Sequence, residues 1–416
     1  MIEAAAIQGY DGATISRVVE LAGVSRATFY QNFACREECF MAAYGLKVEQ
    51  VRAALRAVIE AAEPEKLPGA VLDALLSALL ADPAGARFIL VEALALPSAA
   101  RLPHERVLGA VQRLVAGFLD QQPLNAAIQI PAVSLSMGVG QVLAARALGG
   151  GIGERPRLHA DLLRWLDTYR LSDGARPLFQ SGWRELGRFS RTVSPRSEKT
   201  ALLPRGRSSL PEEKKAELRR GRILDATARI VAREGYMSLT VARIVAEARL
   251  PRTSFYAHFD TKSEAVLATQ THGLQEAMAV AAAEYSPPAP WPERVWRAMR
   301  AFLEHVAEKP DHARLEFIES FAAGSAAIRH RRQGQLAFGL FLEEGYRQSP
   351  RAAELPRVCS EAIGGAVFGL MRGLVVEEKT ERMLSLLPAA AYTILAPFIG
   401  PQEALSRVQE WARAAR

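Results

Sequence analysis

VSRATFYQNF occupies positions 24–33, and LPRTSFYAHF occupies positions 250–259, 226 residues further on. Extending that pair without a gap to Gly9–Tyr44 over Gly235–Gln270 gives twelve identities in thirty-six positions. They are Gly9, Tyr10, Thr14, Arg17, Val19, Ala22, Arg26, Phe29, Tyr30, Phe33, Glu38 and Ala42, each with its counterpart in the second stretch. The likeness continues at the same offset, where MGVGQVLAARAL (137–148) lies over IGGAVFGLMRGL (363–374). With one residue inserted, DPAGARFILVEAL (82–94) lies over KPDHARLEFIESF (309–321). A half of roughly 200 residues is therefore repeated, far longer than a solenoid unit.

Each copy of the opening stretch reads as two short helices. Thr14 and Thr240 are good N-caps for ISRVVELA and VARIVAEA, whose apolar positions follow helical spacing. Gly23 tolerates the positive φ that a tight turn needs, and Ser25 can cap the next helix. Phe29 and Phe33 fall on that helix's inner face, leaving Arg26, Ala27, Thr28, Tyr30 and Gln31 outward. Two short helices joined by such a turn form the helix-turn-helix pattern.

The whole chain fits that pattern. It has 416 residues, 49% hydrophobic and 23% charged, which allows two or three cored domains. Ala, Leu, Arg and Glu dominate and period-two β-branched runs are nearly absent, so an all-α fold is predicted. The net charge of +7 favours a polyanionic partner mildly. Between Arg184 and Arg222, twelve Lys/Arg face five Asp/Glu, among Pro, Gly and Ser residues typical of a linker. That basic linker is also able to touch phosphate.

Three cysteines form no disulfide framework, and Met1 opens no basic n-region with a long apolar core, so a cytoplasmic setting is expected. The charge-free stretches Gln121–Ala145 and Met383–Gln402 are long enough to span a bilayer. Their Asn, Gln, Ser and Pro residues favour buried bundle helices over a membrane. Cys35 and Cys39 have no further ligand near them in sequence, and no phosphate loop, nucleophile elbow or dinucleotide fingerprint is present. No cofactor, metal or enzymatic activity is expected.

The run GYDGATISRVVELAGVSRATFYQNF resembles the DNA-binding domain of the TetR (tetracycline-repressor-like) transcriptional regulators. In the second half the resemblance starts earlier, at GRILDATARIVAREGYMSLT, and reaches Thr261 and Glu264, a capping box. It implies a helical ligand-binding and dimerisation domain after each motif, hence two TetR-type units in tandem. The expected organisation is a first helix-turn-helix domain at 1–44 and a first helical regulatory domain at 45–190. A basic linker at 191–218 follows, then a second helix-turn-helix domain at 219–270 and a second regulatory domain at 271–416. The first copy opens at Met1, so more than a turn of its first helix is expected to be missing: its start lies upstream, or the copy is worn.

By the same resemblance, Thr14, Tyr30, Asn32 and Arg36, with Thr240, Tyr256, His258 and Lys262, would hold phosphates. Arg17, Arg26, Ala27 and Thr28, with Arg243, Arg252, Thr253 and Ser254, would face base edges. Arg219, Arg220 and Arg222 precede the second motif as a basic arm. The Gly9–Tyr44 window carries net −1 and its counterpart net +1, so the second head is better equipped for phosphate. Arg249 replaces Gly23 and should strain its turn, while Pro251 replaces Ser25. Gly365, Gly369 and Gly373 would let helices approach closely where the halves meet.

The partners implied are a double-stranded DNA operator and a small apolar effector, with the two halves pairing within the chain or the chain pairing as a homodimer. The expected function is a ligand-responsive repressor reading an imperfect palindrome as a covalent pseudo-dimer. The alternative is a ligand-binding or protein-interaction module whose degenerate motifs no longer bind DNA.

Overall fold

The computed structural model describes residues 1–63, 66–96, 129–148, 155–169, 181, 185–186, 189–195 and 210–415. Among these the regular structure is helical, and no strand occurs. Residues 196–209 of the basic linker, and the part of the Gln121–Ala145 stretch before residue 129, lie outside the described residues.

The first unit opens with α1 (Ile2–Gly12), α2 (Ile15–Ala22), α3 (Arg26–Asn32) and α4 (Arg36–Ala61). Then come α5 (Leu67–Ala81), α6 (Pro83–Leu90), α7 (Gln129–Leu148) and α8 (Arg155–Asp167). The second unit repeats the opening with α9 (Glu212–Glu234), α10 (Val241–Ala248), α11 (Arg252–Tyr256) and α12 (Lys262–Tyr285). It continues with α13 (Trp291–Glu308), α14 (Pro310–Phe317), α15 (Ser325–Phe338) and α16 (Glu343–Gln348). The last helices are α17 (Val358–Val376), α18 (Leu387–Ile399) and α19 (Pro401–Ala414).

Local chemistry sets the helix ends in both heads. The Thr14 and Thr240 hydroxyls accept from the N–H groups of Arg17 and Arg243, each at 3.3 Å. Gly23 closes α2 in the left-handed region at φ 66°, and Arg249 closes α10 there at φ 52°. A side chain with a Cβ is therefore held at a conformation that suits glycine.

Phe29 and Phe255 are the buried anchors of α3 and α11. Phe33 is only partly buried, while Phe259 is buried. In the first head Phe40 stacks on Phe88 of α6, with ring centroids 4.2 Å apart, so the core runs on into the helices that follow. In the second head Leu315 of α14 plays that part.

The two halves meet within the chain, chiefly along α7 and α17. A Cβ on Gly138 would lie 2.5 Å from the Ala362 carbonyl oxygen and 2.6 Å from Trp165. Gly365 and Gly369 likewise leave room for Gln141 and Met137. Gly373 faces open space, so the third expected glycine takes no part: it lies a turn beyond the contact.

Polar ties reinforce the seam. Gln141 donates to Gln335 at 2.7 Å, Arg146 pairs with Glu361 at 3.0 Å, and buried Tyr169 donates to the Thr393 carbonyl at 2.7 Å. Arg413 grips Glu185 through two bonds of 2.7 Å. Among the described residues, the stretches Val358–Val376 and Thr380–Ile399 are apolar and long enough to cross a membrane by length and composition. Here they are packed into the bundle, and every residue from Leu387 to Phe398 is buried.

Candidate nucleic-acid interface

In the first head, α3 buries Phe29 and exposes Arg26, Ala27, Thr28, Tyr30 and Asn32. The Ser25 hydroxyl caps this helix, accepting from the Thr28 N–H at 3.1 Å, and shares a 3.0 Å bond with the Thr28 hydroxyl. Arg26 donates to the Ser16 hydroxyl, and the Asn32 side-chain amide donates to the Thr28 carbonyl at 2.9 Å. The second head is built the same way. Arg252, Thr253 and Tyr256 are exposed and Ser254 is half-buried, while Pro251 starts α11 without a side-chain cap. Arg252 donates to the Tyr256 hydroxyl at 3.2 Å and lies 5.6 Å from its ring centroid.

Each head thus presents a short helix with an arginine, small hydroxyl or methyl side chains and a tyrosine on one exposed face. These are side-chain types that suit base edges: Arg suits guanine, and small side chains suit the thymine methyl.

Arg17 and Arg243 stand on the helices beside these faces, partly buried. Arg17 pairs with Glu20 at 2.8 Å; Arg243 pairs with Glu234 and donates to the Ser238 carbonyl at 3.1 Å. Reaching a base means exchanging those partners. Arg36 and Lys262 fold back over Tyr10 and Tyr236, at 4.3 and 4.7 Å from the ring centroids. Arg36 reaches the Tyr10 carbonyl at 3.4 Å, and Lys262 donates to the Leu239 carbonyl at 3.0 Å. Thr14 and Thr240 are exposed at their helix starts, where backbone N–H groups point outward.

The basic arm divides. Arg220 is exposed and lies 5.7 Å from the Phe259 ring, and Arg219 pairs with Glu212 at 2.7 Å. Burial first, then the charges of Arg220 and Arg219, hold the His258 imidazole below its ordinary pKa. Arg222 turns inward and donates to the carbonyls of Ala248 and Arg249, the latter at 3.3 Å. It closes the last turn of α10 and steadies the left-handed Arg249, where the sequence suggests a phosphate contact.

A pair of acids unsingled by the sequence joins each head to its bundle. Buried Glu92 accepts from the Tyr10 N–H at 2.9 Å and from Arg87 at 2.9 Å. Buried Glu319 accepts from the Tyr236 N–H at 3.3 Å. The donors follow Gly9 and Gly235, whose φ values of 76° and 80° turn the chain toward the carboxylates. The signal lay in the aligned stretches 82–94 and 309–321, where this glutamate recurs.

Residues 2–43 and 223–269 match the family model described as bacterial regulatory proteins, tetR family. No curated protein matches the chain. Among solved structures, the chain is similar to the fatty acid degradation regulator FadR from Bacillus halodurans. That match has 15% identity and a TM-score of 0.38, covering 42% of this chain and 97% of that one. A TetR family transcription regulator from Marinobacter aquaeolei VT8 is 16% identical with a TM-score of 0.35, over 50% of this chain and 98% of that one. A TetR-like transcriptional regulator from Rhodococcus sp. RHA1 is 17% identical with a TM-score of 0.32, over 42% and 94%. Residues 2–43 and 223–269 are therefore two tetR-family segments in one chain, each folded around its own exposed short helix.

Proposed function

We propose that the chain is a transcriptional regulator that reads an imperfect palindrome with two heads of its own, as a covalent pseudo-dimer in the cytoplasm. The observation that carries this reading is the seam between α7 and α17, which pairs the two halves without a second chain. Twofold helix-turn-helix proteins place one head per half-site, about 34–36 Å apart. Fusion raises the effective concentration of one half near the other to roughly millimolar, which favours pairing within the chain. Arg17 and Arg26 recur as Arg243 and Arg252, so the half-sites share bases. Ala27, Thr28 and Asn32 become Thr253, Ser254 and His258, so they differ elsewhere.

The regulator is a repressor released by a small molecule. The second bundle holds an apolar gap of about 10 Å³, room for one water molecule, lined by Val295, Met299, Phe338, Phe341, Leu342 and Ile394, and a bound effector would have to widen it. An effector there favours a head spacing that misses successive grooves. A gel shift on the intergenic DNA beside its own coding sequence, repeated over a salt series, tests DNA binding. A retarded complex that weakens steeply with salt is the expected result. No complex at any salt leaves an interaction module with degenerate heads.

A further inference from the structure

The two carboxylates that hold the heads stand on turns that are themselves neighbours. Glu92 opens the 3-10 turn Glu92–Ala95, and Glu319 opens the 3-10 turn Glu319–Phe321. These turns pack against each other where the halves meet. Beside them Val91 and Phe321, each 2% exposed, form an apolar cluster with Ile328 of α15, backed by Leu90 and Ala144. Leu90, Val91 and Ala144 belong to the first unit, and Phe321 and Ile328 to the second. Val91 adjoins Glu92 and Phe321 lies two residues from Glu319, so the cluster joins one grip to the other.

Each grip reaches beyond a single hydrogen bond. Glu92 accepts from the Tyr10 N–H, the Tyr10 hydroxyl donates to Glu37 at 3.0 Å, and the Tyr10 ring carries Arg36. Glu319 accepts from the Tyr236 N–H, the Tyr236 hydroxyl bonds Ser263 at 2.8 Å, and the Tyr236 ring carries Lys262. Two residues expected to hold phosphate therefore rest on the two tyrosines that the turns hold.

The grips differ in strength. Arg87 braces Glu92 at 2.9 Å, whereas the aligned Arg314 pairs with Glu378 at 3.3 Å. The bond from the Tyr10 N–H is also the shorter of the two, at 2.9 Å against 3.3 Å from Tyr236. A bond to a buried, braced carboxylate is a strong one. Close-packed side chains have little compressibility and transmit a displacement.

We propose that Glu92 and Glu319 are positioning residues that set the two heads as one unit. A shift of either head moves its turn, and the abutting turn carries the shift to the other head. This deepens, and rests on, the reading of the chain as a two-headed pseudo-dimer: its heads are coupled through the protein, beyond being tethered on one chain.

The test measures backbone amide hydrogen exchange on the full chain without DNA, at the Tyr10 and Tyr236 N–H groups. The amide of Val408, buried on α19, serves as reference. Glu92→Ala is expected to speed exchange at Tyr10 and, by at least about threefold, at Tyr236, while Val408 is unchanged. Glu319→Ala acts in reverse with a smaller effect on Tyr10, since its grip is the weaker. Glu92→Gln keeps an oxygen acceptor and is expected to return Tyr236 to within about twofold of the unmodified protein. In the unmodified protein, protection at Tyr10 and Tyr236 should agree within about threefold across a urea series. That measurement decides the matter even where a variant fails to fold. An unchanged Tyr236 rate in Glu92→Ala, an equal rise at Val408, or a wider gap between the two protections would overturn the coupling. Gel shifts test DNA binding separately, so loss of one reading is distinguishable from loss of the other.

Discussion

Lys262 and Arg222 both belong to the second head, on the edge proposed to face DNA, and their partners separate their roles. Lys262 spends one donor on the Leu239 carbonyl, and an ammonium has three. Lys262→Ala should therefore weaken binding to specific and random DNA alike and lower the salt slope by about one unit. An unchanged slope removes Lys262 from the contacts. Arg222 has its guanidinium committed to the end of α10. Arg222→Ala should cost about 1 kcal/mol in thermal unfolding and leave the salt slope alone. The contrast explains what the sequence discloses. Thr14, Ser25 and Thr240 are legible as caps because a cap acts on an N–H three residues away. Arg222 is not, since its acceptors lie 26 and 27 residues along the chain and only the folded turn brings them close.

Elements show the same division between local and distant causes. The helices that follow α3 and α11 start differently in the two copies. Thr261 accepts from the Glu264 N–H at 3.1 Å, while Cys35 at the equivalent place offers no side-chain cap. In both copies the glutamate completes the motif from the other side: Glu38 accepts from Ala34 N–H at 2.6 Å and Glu264 from Asp260 N–H at 2.8 Å. Cys35→Thr should restore the missing bond and stabilise the first head by about 1 kcal/mol in denaturant unfolding.

The seam between α7 and α17 depends on backbone proximity that composition does not reveal. Of the glycines spaced by four, Gly365 and Gly369 pack closely and Gly373 does not, while Gly138 meets a carbonyl that cannot move aside cheaply. Gly138→Ala should cost about 1–3 kcal/mol by overpacking. Gly373→Ala, exposed on the same helix as Gly365, should be neutral or gain up to about 1 kcal/mol from helix propensity. Equal losses in both variants would mean that the halves are not held together at this seam.

For the whole molecule, the all-α fold and the repeat were legible because a repeated motif is visible without coordinates. How the halves join was not, because Tyr169 reaches Thr393 and Arg146 reaches Glu361 across more than 200 residues of chain. Through those contacts one chain that carries both heads pairs its own halves. Sedimentation of the free protein, combined with footprinting of its DNA complex at matched concentrations, tests that pairing. The expected result is a single species of about 45.3 kDa that protects one imperfect palindrome, with both heads required. A homodimer of twice that mass, protecting a perfect palindrome with one head dispensable, would contradict it.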